Sequence, residues 1–452
     1  MQSQITKYKN SKKNNSNKIC LAPFASLRFT VSGNIQVCCF NRLYLLGKYP
    51  DTSIYEAWHG KKHEILKSAI ENSDLTLGCG YCKESIENGL FKSVGANNYD
   101  YLDSYYDKNN IMPTMFDFEL GNNCNLECIM CNGENSALIR KNRENKLPYN
   151  PPYDITFIKQ LDEFIPHLKE ARFVGGEPFL IDLNYQIWER IIELNPSCKI
   201  TILTNCTILN NKIKTLLTKG HFEVSVSADG ITKTTYEKIR KNANFEEFKI
   251  NLDYFIKHSK LIKYTTFLNF CPMIHNWFEI PGMYKFCNKN NIQIITHTVI
   301  FPPNSALWTL PQNKLEEIRT FLIKNNPKEL ISKKITKTNN ISYLSLINQI
   351  TNWIENSKTN NNNQLSFIEL KNNFNKKLLN YFNNSKMYDD ETKKINYKNN
   401  VSKIENILSQ LDEMSSIKVL NFLISFSTEL IIAELENSTT DKVSERLKYG
   451  IK

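Results

Sequence analysis

Apolar positions along the chain follow two alternating rhythms. Short runs of extended character occur at 115–120, 171–174, 199–204, 222–228, 265–271 and 292–299. Stretches of helical spacing lie between them. Two of these, 136–143 and 155–167, share the first connection, and 184–194, 210–219, 245–257 and 278–288 fill the rest. Strands that alternate with helices predict a parallel sheet. Six strand–helix units predict an α/β fold, a partial (β/α)6 barrel open on one side. Chemistry in such barrels sits at the C-terminal ends of the strands.

Past Pro302-Pro303 the character changes. Residues 313–452 read as helices interrupted by Asn-rich breaks at 358–363 and 383–385. Leu315, Ile318 and Leu322 keep helical spacing, as do Ile404, Ile407 and Leu411. This region has no cysteine, and its expected roles are to cover the open side of the barrel, to gate substrate or to bind a partner. The longest apolar run, 419–435, is interrupted by Asn421, Ser425, Ser427 and Glu429. It falls short of the ~18 apolar residues of a membrane span and predicts an internal helix. The first 18 residues are polar without the apolar core of a signal peptide, and a mobile leader is expected there. The expected organisation is therefore a leader at 1–18, a cysteine-rich module at 19–110, a barrel at 111–310 and helices at 311–452.

Cysteine changes this picture most. Twelve occur in 452 residues, which argues against a disulfide scaffold and for a reducing compartment, the cytoplasm. Cys124, Cys128 and Cys131 stand at Cys-x3-Cys-x2-Cys spacing directly after the first predicted strand. Thiolates hold iron–sulfur clusters, and three of them leave one iron of a cubane without a protein partner. A zinc loop, the other reading of close cysteines, usually has four ligands at Cys-x2–4-Cys spacing. Gly175-Gly176-Glu177-Pro178 ends the second strand, Thr204-Asn205 ends the third, and Ser225-Val226-Ser227-Ala228-Asp229-Gly230 closes the fourth. Ser225 and Ser227 share one face of that strand by the period-2 rule. Arg240 follows in the segment YEKIRK. Glycine lets backbone approach a ligand closely, and a guanidinium suits a carboxylate as a bidentate donor.

Together these motifs resemble the radical S-adenosylmethionine (SAM) superfamily. The resemblance implies a TIM-like radical SAM barrel with a [4Fe-4S] cluster on Cys124, Cys128 and Cys131, whose open iron chelates SAM. It implies cofactor contacts from Gly175, Gly176, Glu177, Asn205, Ser225, Ser227 and Arg240. The Gly-Gly-Glu element would meet the SAM ammonium, and Ser227 and Arg240 the ribose and carboxylate end. Cleavage of SAM to a 5′-deoxyadenosyl radical and hydrogen abstraction from a substrate would follow, with flavodoxin or ferredoxin as electron donor. Cys206 and Cys271, near strand ends, are candidate hydrogen donors to a substrate radical; free cysteines are commonly buried small hydrophobes.

Upstream, Cys20, Gly33, Cys38, Cys79 and Cys82 form the series Cys-x12-Gly-x4-Cys followed later by Cys-x2-Cys. This resembles the first part of the SPASM/twitch auxiliary-cluster module of the same superfamily, including a helix with a Trp in SIYEAWHGKKHEILKSAI. The module normally follows the barrel and here precedes it, and Asn88 stands where a later cysteine would be expected. The four cysteines fit a second, auxiliary [4Fe-4S] cluster, with Cys39 an adjacent candidate for Cys38. A zinc knuckle uses the same ligand type. Relatives with this module often modify peptides or proteins, so a peptide or protein is the leading substrate, with a sugar or nucleoside as the small-molecule alternative. A zinc-stabilised binding protein is the alternative from another class.

The remaining features narrow little. Net charge is +11, from 57 Lys and Arg against 46 Asp and Glu. Much of the excess is Lys scattered among Asn without Arg clusters, which reads as solvated surface and not as a nucleic-acid face. His59 and His63, four apart with Lys61 and Lys62 between them, read as one exposed helix face. Cys198 and Cys287 carry no motif.

Overall fold

The computed structural model describes residues 2–12, 18–106, 111–300, 302–327, 334–362, 365–438, 440–441, 443–444 and 447. The chain forms two compact units that are discontinuous in sequence: 1–118 with 151–171 and 365–451, and 119–150 with 172–364.

The first unit is built on four strands, β1 (Ser26–Phe29), β2 (Asn34–Gln36), β3 (Gly47–Lys48) and β4 (Met115–Phe118), in the order β3-β2-β1-β4. The first three are antiparallel, and β1 runs parallel to β4. Gly33 makes the β1–β2 turn with φ +87, and a Cβ there would meet the Tyr49 carbonyl oxygen at 2.5 Å. Only glycine suits both demands. Phe29 anchors the core, with its ring centroid 5.3 Å from Phe116, 5.4 Å from Phe118 and 5.2 Å from Phe157. The register sets Arg28 opposite Asp117, and the two form an ion pair at 2.6 Å.

Several expectations are corrected in this unit. The polar leader is a helix, Gln2–Ser11, because Ile5 and Tyr8 fall three apart and are both buried. Tyr8 donates to Asn97 Oδ1 at 2.7 Å, and Lys12 pairs with Asp100 at 2.7 Å. Residues 13–17 of that leader lie outside the described residues. His63 is fully buried and not on a solvated face. Gly60 breaks the chain into Ile54–His59 and Lys61–Glu71, so the two histidines do not share one helix. The run 419–435 is likewise two helices, Glu413–Ser425 and Thr428–Asn437, bent by 115° at Phe426-Ser427. By length and composition this bent pair could cross a membrane; among the described residues no single helix is long and apolar enough to do so.

The second unit holds the strand–helix alternation predicted from 171 onward. Its strands are β5 (Glu170–Phe173, where the division falls), β6 (Lys199–Thr204), β7 (His221–Ser227), β8 (Phe267–Phe270) and β9 (Gln293–Thr296), in sequence order. The last four are parallel. Ile200, Ile202, Phe222, Val224, Val226, Leu268 and Phe270 are buried, while Thr201, Leu203, Ser227 and Asn269 on the alternate positions are only half-buried. This is period-2 alternation with one apolar face. Trp188, on the helix Asp182–Leu194, fills the layer against Phe173, Phe179 and Phe222.

Part of the expected C-terminal helical region belongs here. The helix Lys334–Asn362 lies along β9, where Asn339 accepts from Ile294 N at 3.0 Å and donates to Ile292 O and Asn288 Oδ1, both at 2.9 Å. An edge strand left bare invites pairing with another chain, and this helix covers it. The helices Phe367–Asn384 and beyond are part of the first unit instead.

His63 supplies a test of this packing. Its Nδ1 faces Trp58 O and its Nε2 faces Pro23 O at 2.7 Å, and burial lowers its pKa from 6.5 to about 4. The ring is thus neutral in the fold but takes a proton in the unfolded chain below pH 6.5. Its stabilisation is complete above that value and is lost as pH falls from 6.5 toward 4, at most about 3 kcal/mol. Urea midpoints of wild type and His63→Gln should therefore converge between pH 7 and 4.5. A gap independent of pH would exclude this burial.

Candidate functional site

The second unit gathers its polar residues just beyond the C-terminal strand ends. Glu177 is the pivot. Its side chain is fully buried, and burial pushes its pKa up to about 7 against three hydrogen bonds. Oε1 accepts from Phe179 N at 3.2 Å and Thr204 Oγ1 at 2.8 Å, and Oε2 accepts from Asn205 N at 2.7 Å. The loop after β5 is thereby tied to the end of β6. Glu177 N in turn donates to Asn123 O at 2.7 Å. Gly175 and Gly176 have φ +82 and +49, and a Cβ on Gly176 would sit 2.3 Å from Asn123 O. The glycine pair therefore permits the cysteine loop to lie directly on this turn.

The cysteine loop is held from both sides. Ile129 N donates to Ile239 O at 3.0 Å and Glu127 N to Lys241 O at 3.1 Å. The Glu127 carboxylate accepts from Asn242 at 3.0 Å and Asn142 at 3.3 Å. Arg143 donates to Cys131 O and, at 3.4 Å, to Cys128 O. Asn205 Nδ2 donates to Asn125 Oδ1 at 2.9 Å and lies 3.8 Å from Cys124 Sγ. Burial raises all three thiols, to about 12 for Cys128, to about 11 for Cys131 and upward for Cys124. The Arg240 guanidinium acts on each in the opposite sense.

Arg240 is itself 6% exposed and paired with Asp229 at 2.6 Å. Burial works against its charge, yet the Asp229 carboxylate holds its pKa above the ordinary guanidinium value. Asp229 also accepts from Cys271 N at 2.8 Å. Among the described residues Arg240 Nε has no hydrogen-bond partner, so one donor is left over. On β7, Ser225 Oγ bonds Asn269 Nδ2 at 2.6 Å, and Asn269 Oδ1 meets His297 Nε2 at 2.8 Å. Ser227 is half-buried one pleat further on.

The two candidate hydrogen donors part company. Cys206 is fully buried with φ +63, its thiol 3.9 Å from Phe248 O. Cys271 is half-buried, packs against the same core of Ile239, Met273, Val299 and Ala306 as Ile129 and Met130 of the cysteine loop, and feels the charge of Cys128 and Cys131. Asp229, Asn269, His297 and Arg143 were not singled out by sequence reasoning. The Asp of Ser-Ala-Asp-Gly was visible there, but nothing linear pairs it with an arginine eleven residues on.

In the first unit Cys20, Cys38, Cys79 and Cys82 line one cavity with Ile19, Asn41, Tyr81 and Tyr99. Cys39 is outside that lining and sits by Arg28, Asp117 and Tyr99. Burial pushes all four lining thiols up, to about 11 for Cys20 and about 12 for Cys82. Asn41, also unmarked in the sequence, donates its backbone N–H to Cys38 Sγ at 3.3 Å and its amide to Cys79 Sγ at 3.6 Å. Among the described residues no three His, Cys, Asp or Glu side chains form a ready single-ion site. The fit of a cluster accordingly rests on the donor sets: buried thiols in threes and fours, with N–H donors aimed at sulfur and arginines beside the three-cysteine loop. Those are the levers by which a protein tunes thiolate-bound iron.

The Asp229–Arg240 pair gives a direct stability test. Asp229→Ala leaves a buried guanidinium uncompensated and should cost about 3–5 kcal/mol, while Asp229→Ala with Arg240→Leu should recover a large share. Chemical denaturation of the single and double variants measures this. Equal loss in both would show that the pair is not buried as described.

Residues 118–284 match the family model described as "Radical SAM superfamily". Among curated proteins, a probable GTP 3′,8-cyclase of Methanocaldococcus jannaschii is 28% identical over 222 residues, 48% of this chain and 66% of that protein. An uncharacterized protein of the same organism is 31% identical over 116 residues, 24% of this chain and 36% of its own length. The chain thus spans from about a third to just under two thirds of these relatives. Solved structures with partial overlap include Streptococcus suis SuiB bound to S-adenosylmethionine, with TM-score 0.35, 15% identity, and coverage of 57% of this chain and 61% of that one. Another is anSMEcpe with bound AdoMet and the Cp18Cys peptide, with TM-score 0.34, 17% identity, and coverage of 46% and 57%. Residues 118–284, which hold the three-cysteine loop, the Gly-Gly-Glu turn and Arg240, are thus similar to a radical SAM domain.

Proposed function

We propose that the enzyme reductively cleaves SAM and uses the 5′-deoxyadenosyl radical to abstract a hydrogen atom from a peptide or protein, assisted by one auxiliary iron–sulfur cluster. The observation that carries this reading is the lacing of the Cys124–Cys131 loop to the Gly175-Gly176 turn, Asn205 and the Arg240 segment, all beyond the strand ends. Cys124, Cys128 and Cys131 would hold the SAM-binding cluster in a partial (β/α)6 barrel. When bound, that cluster supplies the electron that splits SAM. Cys20, Cys38, Cys79 and Cys82 would hold the auxiliary one in a SPASM/twitch-like module, with Cys38 favoured over Cys39 because Cys38 lines the shared cavity.

The chain's own residues then divide the work. The Gly175-Gly176 backbone would face the SAM ammonium. Both Glu177 oxygens are taken by protein donors, so Glu177 serves by fixing that backbone and Asn205 in place. The spare Nε of Arg240 would reach the carboxylate or ribose end of SAM, and Ser225 and Ser227 with Asn269 would form the polar wall beside it. Cys271, and not Cys206, would be the thiol within reach of a substrate radical. Flavodoxin or ferredoxin would deliver the electron. The likeness to a probable GTP 3′,8-cyclase favours a nucleotide as the alternative substrate.

Anaerobically reconstituted protein should hold roughly eight irons per chain, and changing Cys124, Cys128 and Cys131 together to Ala should remove about half. If the triple variant keeps all its iron, the assignment of those cysteines fails. Zinc in the wild-type protein would favour a zinc-stabilised binding protein instead.

The two cysteine sets should also separate functionally. Reduced protein should release 5′-deoxyadenosine and methionine slowly without substrate. Replacing Cys79 and Cys82 by Ala should empty the auxiliary site while this background cleavage largely persists. Loss of the SAM-responsive electron paramagnetic resonance signal in a folded double variant would contradict the division.

A further inference from the structure

Glu429 lies far from any cysteine in sequence yet ends beside the Cys-x2-Cys turn. It is 1% exposed, and its Oε2 accepts from Gly80 N, the amide between Cys79 and Cys82. The approach is close enough that a Cβ on Gly80 would lie 2.5 Å from Oε2 and 3.1 Å from the Glu429 Cβ. A side chain at 80 would therefore displace the carboxylate that occupies its space. The contact is answered in the other direction. Glu84, on the helix Gly80–Glu87, accepts from Thr428 N at 3.1 and 3.2 Å, the first residue of the helix Thr428–Asn437. Each helix start donates to an acid carried by the other, which satisfies amides that no helix can satisfy internally.

The rest of the C-terminal helices hold Glu429 there. Lys377 donates to Ile424 O at 2.8 Å and to Phe426 O, closing the end of the helix Glu413–Ser425 and fixing the bend that presents Thr428 and Glu429. Tyr381, on the same helix as Lys377, lies beside the Glu429 carboxylate. Glu429 lies within electrostatic reach of both Cys79 and Cys82, and burial pushes its own carboxyl up to about 8.

We propose that Glu429 is the residue that positions the Cys79–Cys82 turn for metal, making the helices 367–438 part of the four-cysteine site. The proposal builds on the auxiliary-cluster reading above, but its test does not depend on which metal is bound. In full-length protein, Glu429→Ala removes the acceptor, Glu429→Gln keeps one oxygen for Gly80 N, and Gly80→Ala pushes the acid away. Loss of one buried hydrogen bond corresponds to roughly tenfold. Alkylation of Cys79 and Cys82 in metal-free protein should quicken roughly tenfold in Glu429→Ala and in Gly80→Ala, and stay within about twofold of wild type in Glu429→Gln. Cys124, Cys128 and Cys131 should label at the wild-type rate. Gly80→Ala should add nothing in the Glu429→Ala background, because the group it collides with has gone. In metal-loaded protein Glu429→Ala and Gly80→Ala should lose the auxiliary cluster's spectroscopic signal, Glu429→Gln should keep it, and the SAM-responsive signal should remain in all three. Unchanged labelling in Glu429→Ala, equal damage from Gln and Ala, or faster labelling of every cysteine alike would each overturn the proposal. Zinc or no metal in the wild-type site would overturn the cluster reading alone, and the labelling would still decide the role of Glu429.

Discussion

The second unit depends on one buried carboxylate. Glu177 has no solvent, and an isolated charge there would be expelled. Three donors keep it in place, and each belongs to a feature that the site needs: the chain after the Gly-Gly turn, the end of β6 and the Asn205 backbone. Its own amide reaches the loop that carries Cys124. One residue therefore ties the glycine turn to the Cys124 loop through its backbone and to the end of β6 and Asn205 through its side chain. Replacing the side chain would remove three hydrogen bonds at once and release the end of β6 from the turn, which is how a buried polar network differs from a surface hydrogen bond.

Charge is handled differently in the two cysteine sets. The three-cysteine loop lies by Arg240 and Arg143, and Asp229 offsets Arg240 at 2.6 Å. Thiolates bound to iron would add negative charge where cations already stand. The four-cysteine cavity instead has Glu429 near it and N–H donors from Asn41 on two sulfurs. The two cysteine sets thus differ in what surrounds them, arginines beside the loop of three and amide donors beside the set of four.

Much of this was legible in the sequence, and for definable reasons. Lys199–Thr204 was located to the residue, and β7 was placed within one residue at each end, because alternating Ile, Val and Phe against polar neighbours admits little else. Gly33, Gly175 and Gly176 were marked by motif, and each proves to carry a positive φ with no room for a Cβ. What was missed has a common cause. His63 looks exposed between lysines until Gly60 divides its helix; the leader looks mobile until Ile5 and Tyr8 find a surface. Contacts across tens or hundreds of residues leave no local periodicity, so tertiary packing overrides the local signal at these places.

The partition of the C-terminal helices follows from the same logic. Nothing between 313 and 438 announces a change of allegiance, yet Asn339 binds the edge of β9 while Lys377 and Glu429 serve the first unit. The decisive residues are single polar groups buried at helix flanks, and their partners are backbone amides and carbonyls that any sequence would supply. Such groups specify where a helix goes without changing how helical it is. The hydrophobic spacing of Leu315, Ile318 and Leu322 or of Ile404 and Ile407 secures the helices. Their addresses are written in Asn339, on the helix Lys334–Asn362, and in Glu429, on the helix Thr428–Asn437.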